Sequence, residues 1–116
     1  MDALKDRLDI FTLRKMITED ERKILEQWIA IINDYPLECE QEKLERMITH
    51  CAVMMKRQRD GESIGKLSEE IYEPVINHEL YIDCAYVFKR MNEIYNINNE
   101  EEKYIILHLC NCFSKE

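Results

Sequence analysis

An all-α fold, a compact bundle of about five helices, follows from three features of this 116-residue sequence. Apolar residues make up 46% of the chain, yet only two glycines and two prolines interrupt it, so turns are few. Those apolar residues recur at three- and four-residue intervals, the period of a helix with one buried face. Helix start and stop signals bracket the apolar stretches. The length suits a single core without disulfide or metal staples. Residues 18–116 are expected to form that one domain, with 1–17 as an N-terminal lead-in.

The lead-in is open to two readings. Leu4, Leu8 and Phe11 share one helical face, while the alternation Leu8, Ile10, Thr12 also suits an extended strand-like segment. Thr18-Glu-Asp-Glu21 is a capping-box pattern, in which a threonine oxygen and a glutamate carboxylate satisfy first-turn amides. Behind it Ile24, Leu25, Trp28, Ile31, Ile32 and Tyr35 keep helical spacing until Pro36 stops the helix. A long helix is predicted from Glu38 or Glu40 to Arg59, ending at Asp60-Gly61. Its buried face is Leu44, Met47, Ile48, Cys51, Met54 and Met55. Residues 64–78 give a weaker helix through Ile64, Leu67, Ile71 and Val75, which Pro74 must shorten, kink or split. From Leu80, the positions Cys84, Val87, Met91, Ile94 and Tyr95 mark an amphipathic helix that closes at 96–99. The last helix, about 100–114, is apolar nearly all round and should be largely buried.

The charge balance narrows the function classes. Sixteen basic residues against 24 acidic ones give a net charge of −8, so the chain meets repulsion on approaching a phosphate backbone. Direct nucleic-acid binding is not expected. Neither a signal-peptide pattern nor an apolar run of about 20 residues is visible. The five cysteines (Cys39, Cys51, Cys84, Cys110, Cys112) therefore read as reduced thiols of a cytoplasmic protein without membrane association.

Two of the three histidines have distinctive surroundings. At about 100° per residue, His50 lies at the solvent border of its helix, in line with Arg46 one turn before and Arg57 two turns after. A guanidinium fork matches phosphate oxygens, so a phosphoryl group on His50 would meet a cation from either side. On the last helix one polar seam breaks the apolar surface: Glu101, Tyr104, His108, Asn111 and Lys115. Such a seam either completes a hydrogen-bond network or lines a site. Glu101 and Asn111 are the candidates to orient the His108 ring. Taken alone, each histidine also has a plain structural reading, His50 as a solvated flank residue and His108 as a satisfied core residue. His78 has no motif around it.

Other chemistries find less support. Cys110 and Cys112 point about 160° apart on a helix and cannot share one ion with His108 unless the helix end unwinds. The acidic run 100–102 suits a helix N-terminus. No phosphate-binding glycine loop, nucleophile elbow or pair of catalytic carboxylates is present, so no metal, no cofactor and no enzymatic activity is expected.

The spacing of these blocks resembles the PTS regulation domain, the helical module through which the sugar phosphotransferase system controls bacterial antiterminators and transcriptional activators. The resemblance covers about Thr18 to Phe113. It rests on His50 followed seven residues later by Arg57, on Glu101, Tyr104, Ile105, Leu107, His108 and Asn111, and on the segment from Leu80-Tyr81 through Cys84 to 93–97. Cys51 and Lys103 depart from the family pattern, and one copy is present where two in tandem are usual. The resemblance implies His50 and His108 as phosphoryl acceptors, with Arg57, Arg46, Asn111 and Glu101 contacting phosphate or orienting the rings. It further implies a histidine phosphocarrier protein or a sugar-transporter phosphotransferase subunit as donor, and a homodimer acting on transcription through protein partners. The alternative is an interaction module of the same fold that accepts no phosphate.

Overall fold

A computed structural model describes residues 3–114, which form six helices and no strand. Helix α1 (Ala3–Leu13) resolves the ambiguity of the lead-in. Leu4 and Leu8, four apart, bury on the helices Glu19–Asp34 and Gln41–Arg59, and Arg7 donates to Thr49 Oγ1 at 2.9 Å. This helix is the one by which the architecture exceeds the five expected.

Helix α2 (Glu19–Asp34) starts on the expected capping box. Thr18 Oγ1 accepts from the Glu21 amide at 3.1 Å, and a Glu21 carboxylate oxygen accepts from the Thr18 amide at 2.9 Å. Glu21 also receives Arg59 from the end of α3 (Gln41–Arg59), at 2.5 and 2.7 Å. One carboxylate thus caps one helix and anchors another.

Helix α4 (Glu69–Ile76) is shorter than periodicity suggested. Gly65 sits at φ 85° and Ser68 caps the first turn, so Ile64 and Leu67 fall outside the helix. Pro74 lies inside it and withholds the amide that Glu70 would receive. The inward face becomes Tyr72 and Val75, while Ile71 turns to solvent. On α5 (Tyr81–Ile94) Cys84, Val87 and Met91 are buried as expected, with Phe88 inward and Ile94 largely outside.

Helix α6 (Asn99–Phe113) packs against α3, α4 and α5, and α2 packs against α3 and α5. The cycle α2–α3–α6–α5 is therefore closed, a four-helix core with α1 laid on one edge and α4 on another. Trp28, Ile32, Met47, Met55, Met91 and Leu109 fill its centre. The buried Trp28 indole donates to the Met91 carbonyl at 3.0 Å, which fixes α2 against α5. At one end of α3, the Gln58 amide donates to the Asn96 carbonyl and accepts from the Asn98 amide, pinning the α5–α6 turn. No helix among the described residues is long and apolar enough to cross a membrane.

Candidate functional site

The α3–α6 interface brings the two singled-out histidines together. Their rings stack with centroids 4.1 Å apart and planes 11° from parallel. Seven residues further along α3, Arg57 meets Glu101, seven residues back along α6. The helices run antiparallel, and a seven-residue step is close to two turns, so both steps return to the same seam.

Arg57 and Glu101 form a two-pronged ion pair. The guanidinium donates from Nε and Nη2 to the two carboxylate oxygens, each at 3.1 Å, and the Glu101 side chain is only 4% exposed. Glu101 orients Arg57 rather than the His108 ring, to which no hydrogen bond from Glu101 or Asn111 runs among the described residues. Arg57 commits two of its five N–H groups to Glu101, and its charge bears on His50.

Arg46 is differently placed. It lines a cleft of about 240 Å³ together with Lys43, Met47, His108, Asn111 and Cys112. It also lines a second cleft, of about 440 Å³, with Arg7, Glu42, Glu45, Thr49 and His50. One guanidinium therefore stands between the openings that lead to the two imidazoles, and it makes no ion pair or hydrogen bond within the described residues. Lys43 Nζ donates to the Ser114 carbonyl at 2.7 Å at the far end of the first cleft. Arg7 donates to Glu45 at 3.2 Å on the wall of the second.

Both rings are held neutral near neutral pH. Partial burial, then the cations Arg46 and Arg57, lower the His50 imidazole below its ordinary value. Burial, then the neighbouring His50, pushes His108 down to about 4. A neutral imidazole carries a lone pair on one ring nitrogen, the state a nucleophile requires. His50 is exposed and His108 half-buried, so the pair lies at the surface end of the interface.

The remaining candidates separate from this site. Tyr104 lies half-buried on the α6 seam, and Lys115, its expected last member, lies outside the described residues. His78 caps a turn before α5, its Nδ1 accepting from the Leu80 amide at 3.0 Å. All five cysteines are free thiols, four of them buried. Among the described residues no three or more His, Cys, Asp or Glu side chains gather as metal ligands would.

Lys43 and Arg7 were missed in the sequence. Lys43 had a signal: it stands seven residues before His50, which itself stands seven before Arg57, so all three share one stripe. Arg7 had none, because its contact with α3 depends on how α1 docks. The chain matches no protein-family model, no curated protein and no solved structure.

Proposed function

We propose that this protein is a phosphorylatable regulatory domain of the PTS regulation type, which accepts phosphoryl groups on His50 or His108 and passes the signal to transcription or antitermination through protein partners. The observation that carries this reading is the stacked pair of neutral imidazoles beside the unpaired Arg46 guanidinium. The donor is the histidine phosphocarrier protein or a sugar-transporter phosphotransferase subunit, the protein itself works as a cytoplasmic homodimer, and it carries no catalytic activity of its own.

In the transfer, a ring nitrogen lone pair attacks the phosphorus of a donor phosphohistidine. The donor's N–P bond breaks as the new one forms, its imidazole leaving with the bond pair and taking up a proton from solvent, while the acceptor ring gives up its N–H proton to solvent. Little covalent work falls to the protein, so positioning and charge decide the rate. Arg46 reaches toward either acceptor, Lys43 and Asn111 lie on the His108 side, and Arg57 adds a fixed positive field. The added charge of about −1.5 to −2 then alters an acidic surface at a helix–helix seam, enough to shift a balanced association equilibrium.

Incubation with phosphocarrier, its kinase and phosphoenolpyruvate tests the reading. Acid-labile phosphate should appear on the native protein and vanish in the His50→Ala, His108→Ala double variant; label that persists in the double variant contradicts it.

A second reading, a module of the same fold that binds a regulator without being phosphorylated, draws on exposed apolar side chains. Ile71 and Ile76 of α4 and Ile82 and Tyr86 of α5 are 50–81% exposed. It predicts undiminished regulator binding by the double variant.

A further inference from the structure

We infer that His50 and His108 form a single-occupancy site: either ring takes a phosphoryl group, but one chain does not carry both at once. The inference rests on the phosphoryl-acceptor reading above and concerns how that site is regulated.

Two features of the geometry carry it. The first is the stack itself. Rings 4.1 Å apart and 11° from parallel have their in-plane nitrogens directed to the edges of a shared sandwich. Two phosphoryl groups there would sit on the rim of one stack, each with about −1.5 to −2 charges. Where the two groups share an edge, about 5 Å apart, repulsion even with the permittivity of water disfavours the second by about 20- to 300-fold. Salt does little at that distance, which is shorter than the screening length.

The second feature is the supply of counter-charge. Arg57 is committed to Glu101 through both prongs. Arg46 alone lines both clefts, one opening on His50 and one on His108. A guanidinium drawn to a phosphoryl group on one ring is withdrawn from the other, so the first event removes the cation the two clefts share and leaves the second ring with Lys43 or Arg7 alone. On the His50 side Glu42 adds to the repulsion, whereas Glu45 is paired with Arg7.

The parallel rings also bear on passage of the group between them. In-line transfer needs both nitrogen lone pairs directed at one phosphorus, and stacked parallel rings direct theirs side by side. The group therefore does not hop directly between the stacked rings; each is loaded and unloaded from outside. Modification becomes a choice between two mutually exclusive marks, one per cleft.

The test uses the full chain and the small donor phosphoramidate, whose P–N bond breaks as the ring nitrogen bonds to phosphorus, with ammonia leaving on the displaced proton. All proteins carry His78→Gln so that the third histidine does not count. Intact mass at alkaline pH, where phosphohistidine survives, reads the number of groups per chain. The protein with both histidines should saturate at one phosphoryl group, with the doubly modified species at least about 20-fold below the singly modified one. His50→Gln and His108→Gln should each also reach one. Two groups on the paired protein overturn single occupancy while leaving phosphoryl acceptance intact. One group in one single variant and none in the other also overturns it, since a lone acceptor has nothing to exclude. No group on any of the three overturns the phosphoryl-acceptor reading and the exclusion together.

Discussion

His50 and His108 stack at 4.1 Å because the step from His50 to Arg57 on α3 equals the step from Glu101 to His108 on the antiparallel α6. The same register that sets imidazole on imidazole sets guanidinium on carboxylate two turns away. One pair is part-buried, with the carboxylate sealed beneath the guanidinium. The other stands at the surface, with both rings neutral and an uncommitted cation beside them.

Acid should destabilise the fold through His108. Its folded-state value is about 4, against an ordinary 6.5, so between those limits the unfolded chain binds a proton that the folded chain refuses. Above pH 6.5 this contributes nothing; the loss grows as pH falls and reaches about 3 kcal/mol near pH 4. His50 works in the same direction. Urea unfolding at pH 7 and pH 4.5 should show a smaller drop for His108→Gln than for the native protein.

The Arg57–Glu101 pair should behave as a structural unit. Arg57→Ala strands a carboxylate that is 4% exposed, at a cost of about 3 kcal/mol. Replacing both residues, Arg57→Met with Glu101→Leu, should recover most of that loss, because no uncompensated charge remains. Chemical denaturation of the two variants checks the order of stabilities.

Arg46 should matter for phosphoryl transfer and not for folding. Its side chain is exposed and forms no pair among the described residues, so Arg46→Ala should change stability by no more than about 0.5 kcal/mol. Loss of the charge-assisted contact should slow phosphorylation roughly 10-fold at both histidines. Initial rates of label incorporation in the single-histidine backgrounds measure this.

Much of this was legible before any coordinates. The buried face of α3 was readable because Leu44 through Met55 keep one phase with no competing signal. The α2 cap was readable because Thr18 and Glu21 act within one turn. The face of α4 was not, since Gly65 and Pro74 cut the helix to a length at which phase is set by neighbours rather than by period. At the site, the individual residues could be chosen from sequence, but the stack and the Arg57–Glu101 pairing depend on helix direction and register. The matched seven-residue steps held that information; they acquire meaning only once α3 and α6 are neighbours.

The thiols should divide sharply by reactivity. Cys39 is only half-buried, and the neighbouring Cys112 thiol and then the Lys43 ammonium hold its thiol below the usual range. Burial pushes Cys51 well above it, and Cys84 and Cys112 are raised by their hydrogen bonds to Cys110 and Cys39. Native-state alkylation followed by peptide mass analysis should therefore modify Cys39 first, with the four buried thiols reacting only on unfolding.

The most direct measurement is localisation of phosphate on protein phosphorylated by phosphocarrier, kinase and phosphoenolpyruvate, mapped by peptide mass spectrometry at alkaline pH. The account predicts phosphohistidine at His50 or His108, never both on one chain, and none at His78. Phosphate confined to His78, or absent from all three histidines while a control acceptor is fully labelled, would contradict it.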